Sequence, residues 1–226
     1  LAHSMGGLVV RAAFAADKTL WDDIVAREGG RLLMLGTPNR GSHLFVQTLL
    51  GQSDTIRTLA RVDLRHSMQQ ILDIVAGFPG AVHLLPAPGF ADTGNLSARD
   101  YYSRDVWDKL SAVNNDFWFG RQLGGKPTQA VLQAARDFWL SVADTSWVRK
   151  APDRIAYVFG QSDNTPCGLL EQTDGNKVIG FALRGTPEGD GSVTWASGHL
   201  ADLPNERKWL MPVDHMGLTS TEKYFD

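Results

Sequence analysis

Ser4 lies in the run Leu1-Ala2-His3-Ser4-Met5-Gly6-Gly7-Leu8-Val9-Val10, which reads as a strand end, a serine on a tight turn and then a helix. A serine held on such a strand-to-helix turn is a nucleophile elbow, with its hydroxyl exposed for attack. The turn forces strained backbone on the serine, so the residues two before and two after it must be small, and Ala2 and Gly6 both are. Residues 7 to 16 continue as a helix, whose N-terminal partial positive charge and free amides stabilise negative charge at the attacked group. The Met5 amide is then one oxyanion donor. The alternative is that Ser4 serves only as the N-cap of that helix, a position serine favours.

A serine hydroxyl needs a base to take its proton, and the base needs a carboxylate to fix its tautomer and stabilise the imidazolium. The run around Ser4 resembles the elbow of the α/β-hydrolase superfamily, and that resemblance implies the chain order serine, acid, histidine. Of the six histidines, His215 is placed best, in Val213-Asp214-His215-Met216-Gly217-Leu218 after the last strand candidate. His3 sits inside the elbow and is expected to point elsewhere. His43, His66 and His83 precede every plausible acid, and no strand delivers His199. Two acids compete: Asp163, in the loop after a Gly-ended strand, and Asp190, in Gly189-Asp190-Gly191-Ser192-Val193.

The elbow Ala-His-Ser-Met-Gly-Gly resembles that of small bacterial lipases of the α/β-hydrolase superfamily, with Ala2 where the usual pattern has glycine. Gly36-Thr37-Pro38-Asn39-Arg40-Gly41-Ser42 resembles a segment that borders the active site in many lipases, although a plain polar turn has the same composition. Gly189-Asp190-Gly191-Ser192-Val193 resembles the acid motif of lecithin:cholesterol acyltransferase-like lipases. The resemblance implies Ser4, Asp190 and His215 as the catalytic residues, with Asp163 as the alternative acid. It also implies an α/β-hydrolase fold, a mostly parallel sheet flanked by helices. In that superfamily the elbow follows the fifth strand, so four strands and a second oxyanion amide are expected upstream, and the 226 residues read as the C-terminal part of a longer catalytic domain.

The elements that must position these residues are legible in part. Leu32-Leu33-Met34-Leu35 is a short apolar run closed by Gly36, the pattern of a buried parallel strand beside the elbow strand. Ile155 to Phe159 is a second such run, and Lys208 to Val213 is the last strand candidate. Leu169 to Gln172 and Lys177 to Arg184 flank Thr173-Asp174-Gly175-Asn176 as a hairpin with an Asp-Gly turn. Between residues 43 and 150 strand character disappears. Ser67 caps a helix carrying Met68, Ile71, Leu72 and Val75, and Pro127-Thr128 opens another carrying Val131, Leu132, Ala135, Phe138, Trp139 and Val142. Residues 77 to 125 between them read as loop. Residues 1–42 and 151–226 therefore form the hydrolase core, and 43–150 form a helical cap inserted over the nucleophile. Trp107, Trp118, Trp139 and Trp147 fall in the insertion, as cap core or as a lipid-facing wall.

With 22 basic and 25 acidic residues and a net charge of -3, the chain carries no electrostatic footprint for nucleic acid. Its apolar runs fall well short of the roughly 20 residues of a membrane span. A single cysteine, Cys167, precludes an internal disulfide and is somewhat commoner in a reducing compartment. No metal-ligating cluster or phosphate-binding glycine loop is visible, so the expected chemistry needs no cofactor and no metal. The sequence thus predicts a serine hydrolase acting on a small-molecule or lipid ester through an acyl-enzyme on Ser4. Acyl transfer to an alcohol uses the same residues, and a non-catalytic, partner-binding scaffold is the alternative of a different class.

Overall fold

The structure, a computed structural model, describes residues 1–95, 97–114 and 122–222; Trp118 falls outside them. In chain order the elements are β1 (Ala2–His3), α1 (Gly6–Ala16), α2 (Leu20–Val25), β2 (Leu32–Leu35), α3 (His43–Leu49), α4 (Asp54–Val62), α5 (Met68–Ala76), α6 (Pro79–Val82), α7 (Arg104–Val113) and α8 (Gln129–Ser141). There follow α9 (Ser146–Lys150), β3 (Ile155–Phe159), β4 (Thr165–Asp174), β5 (Lys177–Thr186), α10 (Trp195–Gly198), β6 (Lys208–Leu210) and α11 (Gly217–Ser220). The fold is mixed α/β, and its larger sheet is parallel throughout, in the order β1, β2, β3, β6. In register, His3 pairs with Leu35, Leu35 with Val158, and Val158 with Trp209. The four strands therefore end together, and the loops beyond their carboxyl ends share one edge of the sheet. In open parallel sheets that edge is where ligands are bound.

The chain divides into two units: residues 1–41, 138–165 and 186–226 form the first, and 42–137 with 166–185 the second. In the first, Ala2, Leu32, Met34, Ile155 and Tyr157 of the sheet pack with Phe14, Trp21, Trp147 and Val148 of the helices. Phe14 meets Trp147 edge-on at 4.9 Å between ring centroids, and Trp21 meets Trp147 at 5.5 Å. Trp147 thus belongs to the core of the sheet unit, not to an inserted cap. Trp107 and Trp139 are also buried, so none of these three forms an exposed wall.

The second unit holds α3 to α7 and the ribbon of β4 and β5. The hairpin clusters here and not with the parallel sheet, although its position in the sequence placed it with the core. Its turn is Gly175-Asn176, with Gly175 at φ +58°, one residue later than an Asp-Gly turn. β4 also starts earlier than its apolar run, at Thr165-Pro166. A proline reads as loop, yet a two-stranded ribbon leaves half of its N–H groups outside the ladder and accommodates one.

Helix α7 lies where loop was expected. Its buried positions are Trp107, Leu110 and Ser111, followed by Asn114 just past its end. That is helical spacing, but two of the four residues are polar, so the stripe was invisible to a hydrophobic pattern. Asn114 explains its own burial: its side chain donates to Leu50 O and Leu123 O, both at 2.7 Å, and accepts from Gln52 at 3.1 Å. Helix α5 starts as expected. Ser67 Oγ accepts from Gln70 N at 3.3 Å while Gln70 Oε1 accepts from Ser67 N at 2.8 Å, a reciprocal capping box. Ser67→Ala removes one half of it and is expected to cost about 1 kcal/mol, read as a lowered urea midpoint at unchanged slope.

Candidate active site

Strand β1 ends at His3, and Ser4 turns the chain into α1 with φ +53°, the one non-glycine residue of positive φ among those described. A side chain in that region is strained, and such strain clusters at functional positions. Ser4 N still donates to Leu35 O at 2.9 Å, so the turn is pinned to β2. The helix cap is Met5, with no side-chain cap bond; Ser4 is therefore not acting as an N-cap. After Ser4, the next amides with backbone acceptors are Gly7 N on Ser4 O and Leu8 N on Met5 O. Met5 N–H lies ahead of them, at the positive end of α1, where an anionic oxygen is stabilised.

The two glycines after Met5 differ in what they permit. A Cβ on Gly6 would lie 4.0 Å from Ala2 Cβ, an ordinary contact, so small residues suffice at both places. A Cβ on Gly7 would collide with the Thr37 side chain. Gly7 is what lets α1 approach the loop after β2.

His215 follows β6 and the short run to Asp214. Its Nδ1 lies 2.8 Å from Asp190 Oδ2 and its Nε2 lies 2.8 Å from Ser4 Oγ. An ionised carboxylate only accepts, so Nδ1 carries the proton and the Nε2 lone pair faces the Ser4 hydroxyl. Asp190 is 2% exposed and His215 9%. The second oxygen of Asp190 accepts from Ser192 N at 2.9 Å and Val193 N at 2.7 Å, which fixes the carboxylate plane. His215 N donates to Asp190 O at 2.8 Å, and Gly191 N donates to Thr165 Oγ1 at 2.8 Å, so backbone and side chain are held together.

Asp163, the alternative acid, is exposed. Both ring nitrogens of His215 are already engaged by Asp190 and Ser4, which leaves Asp163 no place beside it. His3 does not point away from the site. Its Nε2 donates to His215 O at 3.0 Å and its ring lies 4.9 Å from the His215 ring. The residue before the serine therefore braces the backbone of the histidine, a role with no signal in spacing or chain order.

In the sequence Gly36 reads as the end of a strand and as the start of a segment resembling one that borders the active site in lipases; nothing there marks its own contact with the Asp190 and His215 pair. Its φ is +53°, and a Cβ there would lie 2.8 Å from Leu218 Cδ1, 2.9 Å from Asp190 Oδ2 and 3.0 Å from His215 Nδ1. The loop after it is tied down on three sides. Tyr157 OH donates to Thr37 O at 2.7 Å, Asn39 Nδ2 to Gly198 O at 3.0 Å, and Arg11 Nη1 to Asn39 O at 2.6 Å. Burial pushes the Tyr157 hydroxyl well above the ordinary tyrosine range, and the Asp190 charge adds to this, so Tyr157 is a permanent donor. Burial brings Arg11 down to about 10, still charged at neutral pH.

No protein-family model matches the chain, and no curated protein matches it. A hydroxyl, an imidazole and a buried carboxylate in series allow the imidazole to take the serine's proton as its oxygen attacks an electrophile, and to pass that proton to a leaving group. Among the described residues no group of three or more His, Cys, Asp or Glu side chains is placed to hold a metal ion, and no helix is long and apolar enough to cross a membrane.

Proposed function

We propose that the chain carries the catalytic residues of a serine hydrolase of the α/β-hydrolase type, acting on carboxylic esters with apolar acyl groups. The observation that carries the proposal is the continuous series from Ser4 Oγ to His215 Nε2 and from His215 Nδ1 to Asp190 Oδ2, each link 2.8 Å, ending on a serine in strained backbone. Ser4 attacks the ester carbonyl as His215 takes its proton, and the Met5 amide supports the oxyanion. The leaving alcohol takes the proton from His215, an acyl-enzyme remains on Ser4, and water releases it by the same proton path. The exposed side chains of Met5 and Met216 adjoin Ser4 and His215 along the chain, and their apolar surface suits an acyl chain. Labelling with a fluorophosphonate probe tests the reading: a single adduct on Ser4, blocked by prior incubation with a p-nitrophenyl ester, is expected. An unlabelled Ser4 in the folded protein overturns it.

Gly36→Ala provides a second check. The new methyl group must displace Leu218 or the Asp190 and His215 pair, and alanine is strained at this φ. The expected result is a stability loss of about 1–3 kcal/mol with turnover reduced at least about tenfold. A stability loss of that size with unaltered turnover would show that the pair is insensitive to the position of this loop.

A further inference from the structure

Within the second unit lies an arrangement that the proposed chemistry does not use. His43, the first residue of α3, directs Nδ1 to Asp92 Oδ2 at 2.9 Å, and both side chains are buried. The other oxygen of Asp92 accepts from Thr93 N at 2.8 Å. This is the orientation Asp190 imposes on His215: a carboxylate held by a backbone amide holds the imidazole as the Nδ1–H tautomer and leaves Nε2 an acceptor. His43 Nε2 has no hydrogen-bond partner among the described residues. His43 lines a cavity of about 460 Å³ together with Phe90, Arg99, Tyr101, Leu169 and Arg184.

The chemistry of the lining is specific. Among the described residues that line it, Asp92 is the only acid, and its side chain has no exposed surface. Arg99 and Arg184 are therefore the charges that face the space. Arg99 gives one nitrogen to Glu171 at 2.7 Å, and Arg184 gives one to Gly94 O at 2.5 Å; Arg184 has no carboxylate partner among the described residues. Each guanidinium keeps further donors in a planar fork suited to a carboxylate. Phe90 and Leu169 supply apolar wall. Burial holds the Tyr101 hydroxyl well above the usual tyrosine range, so it stays neutral.

We infer that this cavity is a binding site for a small hydroxycarboxylate: carboxylate on Arg99 and Arg184, hydroxyl donating to His43 Nε2, hydrocarbon against Phe90 and Leu169. The inference is independent of the hydrolase reading, since none of these residues is placed in the reaction at Ser4. An anion alone leaves the His43 acceptor and the apolar wall unused, and an alcohol alone leaves two guanidinium groups unused.

Calorimetric titration of the full chain with 3-hydroxyoctanoate, octanoate, octan-1-ol and inorganic phosphate tests it. Saturable binding of 3-hydroxyoctanoate is expected, with octanoate about fivefold weaker for want of one hydrogen bond, and neither octanol nor phosphate competing. Arg184→Gln and Arg99→Gln should each weaken 3-hydroxyoctanoate at least about tenfold, while Ser4→Ala leaves its binding unchanged. His43→Gln should erase the preference over octanoate. Arg99 is partly exposed, so its variant keeps the test open if Arg184→Gln fails to fold, and the comparison of the two acids on the unsubstituted chain needs no variant. Equal affinity for both acids, competition by octanol or phosphate, or indifference to both arginine substitutions overturns the inference. Loss of binding in Ser4→Ala would place the ligand at the hydrolytic site and overturn it as well.

Discussion

Replacement of Ser4 by alanine is expected to lower ester turnover by about 10³-fold or more, because residues that act as one catalytic unit lose nearly the whole unit's effect when any one is removed. The fold should be retained. Ser4 holds the turn through its backbone, with Ser4 N donating to Leu35 O at 2.9 Å, and alanine keeps that bond. Alanine and serine also carry a similar penalty at φ +53°, so the strain is not relieved. The measurement is the initial rate on a p-nitrophenyl ester beside a denaturant curve for each protein. Turnover within tenfold of the unsubstituted chain, with the fold intact, would remove Ser4 from the role of nucleophile.

Replacement of Asp190 by asparagine should cost about 10³ to 10⁴ in turnover at neutral pH, by loss of the charge that stabilises the imidazolium and of the acceptor that sets its tautomer. Asparagine can turn its NH₂ toward His215 Nδ1, which then becomes the acceptor and puts the proton on Nε2, facing Ser4. The base is thereby presented the wrong way round. Fluorophosphonate labelling of Ser4 should slow in parallel, because the probe reports activation of the hydroxyl itself. Asp163→Asn is the control. That side chain is exposed, and its substitution should change turnover less than about twofold, within the range of ordinary surface changes. The reverse pattern, an inert Asp190→Asn beside a damaging Asp163→Asn, would transfer the acid's role to the loop after β3.

Local pattern carried a good part of this protein. The apolar runs at Leu32 to Leu35 and Ile155 to Phe159 are strands because buried parallel strands are apolar on both faces, and a glycine stops each. The α5 start was legible because a capping box is a contact between residues three apart. The small residues around Ser4 likewise report a local steric demand. Where a buried stripe contains polar residues, as at Ser111 and Asn114 on and just past α7, the hydrophobic pattern fails; the burial of Asn114 is compensated by carbonyls of Leu50 and Leu123 that are distant or unmarked in sequence.

The sequence by itself determined which residue types were available: a serine on a tight turn, a histidine after the last strand and two candidate carboxylates. It could not rank Asp190 over Asp163 from spacing, since both lie between serine and histidine in the chain. The tertiary structure places Asp190 and not Asp163 against His215 Nδ1. It likewise decided the parts played by His3 and Gly36, which touch His215 and the Asp190 pair from 212 residues away in one case and across strand ends in the other. The physical reason is common to all three. Ser4, His215 and Asp190 meet over 2.8 Å contacts between segments about 200 and 25 residues apart, and only the parallel register that brings the strand ends to one edge sets which side chains meet there.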